Sequence, residues 1–194
     1  MLDDCERRVA ASAMHLDHTL RLWSITLGAI AVGQIIPDLR NLRCRHGTDG
    51  RARFALVRHH GWHADDNTTT ELLMQTVIDD HVYPMHAALR RTAGLAHGLM
   101  LGNSASMLVS ATRALSGGPS HAFVRRITAR LLDTPLLRDA ARHTVDEDGG
   151  LIVDSVTRRS CCLCYRLPAA HVCADCPLQD AAVTRTVRGR SDTC

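Results

Sequence analysis

The sequence predicts a mainly α fold of the α+β class: a helical bundle with one small β-hairpin and a cysteine-rich C-terminal segment. Three observations predict it. Apolar residues recur at helical spacing through most of residues 7–143, a strand-like alternation around a Gly/Asp-rich turn occupies 42–57, and five of the eight cysteines stand within 161–176. Hydrophobic residues make up 45% of the 194 positions and aromatic residues only 3%. A core must therefore come from Leu, Val, Ile, Ala and Met, which helices accept well. The length fits one main globule with a small appendage.

In chain order, Val9, Met14, Leu16, Leu20, Leu22, Trp23, Leu27 and Ile30 place one or two helices between Arg7 and Ile36, with Gly28, Gly33 and Pro37 weakening or stopping the run. Leu42–His46 and Arg51–Val57, joined through Gly47-Thr48-Asp49-Gly50, read as a hairpin with Cys44 on one face. Thr68-Thr69-Thr70-Glu71 has capping-box spacing and predicts a helix start, with Pro84 kinking or interrupting that helix before a helical pattern resumes over Met85–Thr92. A helix from about Leu95 to Leu115 ends at Gly117-Gly118-Pro119, Ser120 caps another through Leu132, and a short one is expected over Leu136–His143. The acidic, glycine-ended Asp146–Gly150 marks the best boundary. The expected units are thus a mainly helical domain over 1–145, a C-terminal segment over 151–178 and a flexible tail over 179–194.

Charge and termini exclude several classes. The formal net charge is +3 and lysine is absent, with no basic face interleaved with aromatics, so nucleic acid is a poor partner. The acidic start Met1-Leu2-Asp3-Asp4-Cys5-Glu6 is unlike an export signal. The longest apolar stretch, Leu22–Ile36, is shorter than the roughly 20 residues a membrane span needs. The expected location is cytoplasmic, where disulfides are disfavoured and clustered cysteines point to metal or redox chemistry.

The cysteine segment reads Arg158-Arg159-Ser160-Cys161-Cys162-Leu163-Cys164-Tyr165-Arg166-Leu167-Pro168, then Cys173-Ala174-Asp175-Cys176-Pro177. Thiolates are soft ligands suited to zinc and to iron–sulfur clusters. Cys173 and Cys176 have the two-residue spacing of a zinc knuckle. Adjacent Cys161 and Cys162 converge on one ion only if the chain bends between them, and a longer two-iron object is less demanding. Spacing alone leaves zinc and iron–sulfur both standing. Cys164 reads as a buried small hydrophobe beside the ligands, and Cys5, Cys44 and Cys194 as ordinary small residues.

Residues 158–178 resemble the C-terminal 2Fe-2S motif of the FhuF-type ferric-siderophore reductases. Arg21-Leu22-Trp23-Ser24 with Pro37-Asp38-Leu39, and Leu101-Gly102-Asn103-Ser104-Ala105-Ser106, are similar to helical segments of such proteins, although Leu101 stands where many members carry Trp. The resemblance implies that Cys161, Cys162, Cys173 and Cys176 ligate a 2Fe-2S cluster that reduces a ferric siderophore, of hydroxamate type, with electrons from an external ferredoxin or reductase. Reduction softens the iron and loosens its hard oxygen ligands. All-cysteine clusters of plant-ferredoxin type have potentials of about −400 mV, set by charge, hydrogen bonds and exposure. Arg158, Arg159 and Arg166 would offset cluster charge or attract an anionic partner, with solvated surface arginines as the bland alternative.

Among twelve histidines, His59-His60-Gly61-Trp62-His63 lacks metalloprotease spacing and reads as a solvated loop. His15 and His18 read as surface or core residues. His81, before the Tyr83-Pro84 break, is the candidate for substrate contact. No phosphate loop, nucleophile elbow or paired carboxylate stands out. The rival readings are a zinc-binding structural protein, a 2Fe-2S carrier or sensor that does not reduce siderophore, and a scaffold related to the helical part of siderophore synthetases.

Overall fold

The computed structural model describes residues 6–47, 52–118, 120–167 and 173–178. The expected tail over 179–194, Pro168, Cys5 and Cys194 lie outside the described residues.

Helix α1 (Arg7–Gly33) is one continuous helix. Its buried face runs Val9, Ser12, His15, Thr19, Leu22, Trp23, Thr26, Leu27, Ile30, a three-to-four-residue period that makes one stripe. The stripe changes character along its length. Toward the N-terminus it is polar (Ser12, His15, Thr19), and from Leu22 onward it is mostly apolar.

Strand β1 (Ile35–Pro37) follows a left-handed Gln34 and pairs antiparallel with β4 (Gly61–His63). This corrects the expectation of a loop at Gly61-Trp62-His63. The pairing forms because a Cβ on Gly61 would stand 2.5 Å from the Ile36 carbonyl oxygen, so glycine alone lets the two backbones meet. Between them lies the expected hairpin, β2 (Leu42–His46) and β3 (Ala52–Leu56), with Cys44 opposite Phe54. The Phe54 ring packs against His18, centroids 5.0 Å apart, and under the Arg21 guanidinium, which docks the hairpin on α1.

Helix α2 (Thr69–Leu73) starts where the capping box predicts, but the box is not formed. Asp65 caps the turn instead: its carboxylate accepts from the Asn67 and Thr68 backbone N–H groups, both at 2.8 Å. Beyond α2 the chain does not break at Pro84. A π-helical stretch, Met74–Val82, runs directly into α3 (Tyr83–Ala93) with Pro84 in the first turn. Tyr83 N–H reaches the Ile78 carbonyl, and this wider winding accommodates a residue that has no N–H of its own to give.

Helix α4 (His97–Ala114) is buried on most of its surface and rich in small residues, and it forms the principal packing pair with α1. The two run in the same direction, Ser12 meeting Asn103 and Leu16 sharing a cleft with Ser106 and Ser110. Helix α5 (His121–Leu132) is tied to α4 by Thr112 and Thr128, whose hydroxyls are 2.7 Å apart. The expected helix over 136–143 is a series of turns ending in β5 (Ala141–Arg142), which pairs with β6 (Thr157–Arg158). Asp146–Gly150 closes as a turn, Asp146 accepting from the Gly150 N–H at 2.8 Å and pairing with Arg125 at 2.5 Å. Among the described residues no helix is long and apolar enough to cross a membrane.

Candidate metal centre

The cysteine segment rests on the N-terminal portions of α1 and α4. Three contacts seat it. Ser160 Oγ donates to the Gly98 carbonyl at 2.9 Å, Ser12 Oγ donates to the Cys162 carbonyl at 2.7 Å, and Asn103 Nδ2 donates to Ser12 Oγ at 3.0 Å. Gly102 leaves room for this contact, since a Cβ on it would overlap Ser160 Oγ and push that hydroxyl aside. Gly98 stands one turn before Gly102 on the same face and contributes its carbonyl, while a Cβ there would meet nothing. The first turn of α4 also directs its positive end toward this region.

Within the segment the backbone bends sharply at Leu163, whose φ of 67° is unusual for a branched residue. Its half-buried side chain packs against the cluster of Leu89, Ala93, Leu95, Leu99 and Met100, and that contact helps offset the left-handed conformation. The bend follows both cysteines and turns the next two backbone N–H groups toward their sulfurs. Leu163 N–H donates to Cys161 Sγ at 3.3 Å and Cys164 N–H to Cys162 Sγ at 3.4 Å. The second half is brought in by Arg158, whose backbone N–H donates to the Asp175 carbonyl at 2.9 Å. There Cys176 N–H bonds the Cys173 carbonyl at 3.1 Å, and Leu178 N–H bonds Cys176 Sγ at 3.4 Å.

Two of the sulfurs stand close together. Cys162 Sγ and Cys173 Sγ stand 3.7 Å apart. Two sulfurs at about 2.3 Å from one tetrahedral metal should be about 3.8 Å apart. Cys162 and Cys176 are buried while Cys161 and Cys173 are half-buried. Hydrogen bonding from Cys164 and Cys173, opposed by burial and aided by Arg158, pushes the Cys162 thiol well below its ordinary pKa. The same sharing with Cys162, together with burial, raises Cys173 and Cys164. Burial raises Cys161, against the Leu163 N–H. Among the described residues no group of three or more His, Cys, Asp or Glu side chains is gathered tightly enough to hold a single metal ion.

Arg158 is the residue whose burial the sequence did not reveal. Its side chain is fully buried, Nε lies 3.0 Å from Asp175 Oδ2, and Nη1 donates to Asn103 Oδ1 at 3.3 Å. Nη2 has no acceptor among the described residues. Burial lowers its pKa, but Asp175, Cys162 and Cys173 outweigh that and the net shift is upward, so the guanidinium stays charged. A buried cation with a spare donor beside the Cys162 and Cys173 thiols fits an anionic metal–thiolate group, which would supply a further acceptor and countercharge.

Residues 158–178 match the FhuF 2Fe-2S C-terminal domain. The match includes Arg158, all five clustered cysteines and Asp175, and it points to an iron–sulfur-binding segment. No curated protein and no solved structure matches the chain.

The other predicted site residues are dispersed around this FhuF-like segment. Arg166 pairs with Glu6 at 2.6 Å and ties the segment to the start of α1. Arg159 is exposed, its backbone N–H bonded to the Ala140 carbonyl. Cys164 turns its thiol back toward the Cys162 carbonyl at 3.8 Å. His81 Nε2 lies 2.8 Å from the Leu39 carbonyl oxygen, at the corner between β1 and β2. A cleft of about 230 Å³ reaches Cys173, lined also by Leu16, Ser106, Ser110, Arg113 and Asp175.

Proposed function

We propose that the chain reduces ferric siderophore by single-electron transfer and so releases Fe(II), with Cys161, Cys162, Cys173 and Cys176 holding a 2Fe-2S cluster. The observation that carries this reading is the sulfur pair at 3.7 Å beside the buried, underbonded Arg158, inside the residues that match the FhuF 2Fe-2S C-terminal domain. Such a cluster, when bound, supplies one electron at a time from an external donor, a ferredoxin or a reductase, in the cytoplasm.

The protein's own residues do the rest. Arg158 counters the negative charge of four thiolates, the N–H groups of Leu163, Cys164 and Leu178 fix the sulfurs, and the cleft at Cys173 lets an oxygen-ligated ferric complex approach a ligand sulfur. Fe(III) in the siderophore takes the electron and becomes Fe(II), a softer ion that hydroxamate oxygens hold less tightly.

The experiment is direct. Protein purified without oxygen should contain iron and sulfide, and after chemical reduction it should convert a ferric hydroxamate to Fe(II), captured by a ferrous chelator, as the cluster colour returns. Reoxidation without Fe(II) would leave an electron carrier or sensor. Colourless protein with stoichiometric zinc would establish the zinc reading, which the Cys173–Cys176 knuckle also serves.

A further inference from the structure

We infer that the cleft beside Cys173 is the docking site for one arm of a neutral hydroxamate-type chelate, and that Ser106 and Ser110 are the residues that bind it. The inference rests on the siderophore reading and adds where the acceptor sits and what chemistry it must carry. The cleft lies between α1, α4 and the C-terminal segment and has a volume of about 230 Å³. Whole small-molecule ligands ordinarily occupy about 300–1,000 Å³, so this space suits one arm of a chelate and not the entire complex.

Helix α4 supplies a wall with polar groups in a row. Ser106, Ser110 and Arg113 recur at four and three residues, so they share one face of the helix, and the two serines stand about 6 Å apart along its axis. Ser106 is only 4% exposed, and neither serine hydroxyl has a hydrogen-bond partner among the described residues. Other hydroxyls of the same helix are satisfied within it: Ser104 and Thr112 each donate to the carbonyl four residues back, at 3.0 Å. Buried polar groups are almost always paired, and the cleft is where a partner for Ser106 can enter. Leu16, Met107, Val153 and Val156 flank the serines with apolar surface. Linear hydroxamate chelates join their iron-binding groups through methylene chains and amides. The methylenes suit these side chains, and a serine hydroxyl can donate to an amide carbonyl or accept from an amide N–H.

The charges at the cleft are already matched. Arg113 pairs with Asp154 at 3.1 Å, and Arg158 with Asp175 at 3.0 Å. A neutral arm leaves both pairs in place, whereas a multiply anionic catecholate chelate would meet two carboxylates. Arg158 also bonds Asn103, about one turn before Ser106, so the serine row begins beside the cysteine segment, and Cys173 lines the same space. A chelate held there by its arm has its metal beside that segment.

The test uses the intact, oxidised holoprotein and gallium(III) chelates, which copy the charge and size of the ferric ones but take up no electron. Isothermal titration calorimetry should show binding of a neutral linear gallium trihydroxamate and none of a gallium tricatecholate. The trihydroxamate affinity should be nearly independent of ionic strength, since no net charge is paired on binding. Ser106→Ala and Ser110→Ala should each weaken it about fivefold, the loss of one hydrogen bond. Ser110→Phe, which fills the cleft from a half-buried position, should abolish binding while iron content stays at the wild-type level. No trihydroxamate binding by wild type, tighter binding of the tricatecholate, or full affinity in the three serine variants overturns the inference. Each of these outcomes leaves the reductase reading intact if the wild-type protein still releases Fe(II) from a ferric hydroxamate. Wild type that binds the gallium trihydroxamate through these serines but releases no Fe(II) upholds the docking site and overturns the reductase reading.

Discussion

Acidification from pH 7.5 to pH 5.0 should destabilise this protein by about 4 kcal/mol through two imidazoles, each costing about 1.36 kcal/mol per pH unit below its unfolded pKa. His15 on α1 and His86 on α3 are both buried, with Nε2 atoms 2.9 Å apart and each Nδ1 lacking a partner among the described residues. Burial, with His86 and His18 as further causes, lowers the His15 pKa to about 3, and burial with His97 lowers His86 to about 4. Both rings are therefore neutral in the fold. The unfolded chain takes up protons near the ordinary histidine value of 6.5, so it binds more protons than the folded chain between that pH and about 4. Stability is complete above the unfolded pKa and falls as pH drops through it, by about 2 kcal/mol per ring at pH 5.0.

The assay is urea unfolding of wild type and of His15→Leu/His86→Leu across this range, under anaerobic conditions. The difference between the two proteins removes the acid sensitivity common to both, including that of the thiolates. Wild type should lose about 4 kcal/mol more than the variant between the two pH values. Parallel pH dependences would refute the reasoning, since they would mean that the buried pair already shares a proton in the folded state.

Gly102→Ala should force Ser160 Oγ off the Gly98 carbonyl, costing about 1 kcal/mol of hydrogen bonding that is nearly offset by the helix propensity gained. Its signature is in a double-mutant cycle with Ser160→Ala, where thermal unfolding should show a coupling of about 1 kcal/mol, and additivity would contradict the contact. Ser12→Ala removes the donor to the Cys162 carbonyl and the acceptor of Asn103, and should cost about 1–3 kcal/mol by chemical denaturation while speeding loss of the metal centre to a chelator. Cys173→Ser or Cys176→Ser should lower iron and sulfide content sharply, whereas Cys164→Ser should leave both near wild type. Equal metal content in all three would show that the ligand set is wrong.

Several elements were legible because their causes are local. The hairpin followed from alternation around a Gly/Asp turn, and the end of α4 from Gly117-Gly118-Pro119. Where local signals failed, another contact had replaced them. Thr68 and Glu71 carried a capping-box pattern, but Asp65 takes the backbone donors at that turn. Leu136–His143 carried a helical pattern, but Ala141 and Arg142 pair with Thr157 and Arg158. His15, equivocal as one histidine of twelve, became half of a buried pair because α3 returns alongside α1.

What the amino-acid sequence determined by itself was the helical class, the hairpin and the cysteine segment with its chemistry of soft ligands. These depend on periodicity, turn residues and side-chain type, all of which are written within a few residues of one another. The tertiary structure alone decided which sulfurs stand together, that Arg158 and not Arg159 or Arg166 is buried beside them, and that Gly98, Gly102, Asn103 and Ser12 form the seat. Burial and charge proximity depend on how α1, α4 and the terminal segment meet. The three arginines are alike as letters, and only packing removes one of them from water.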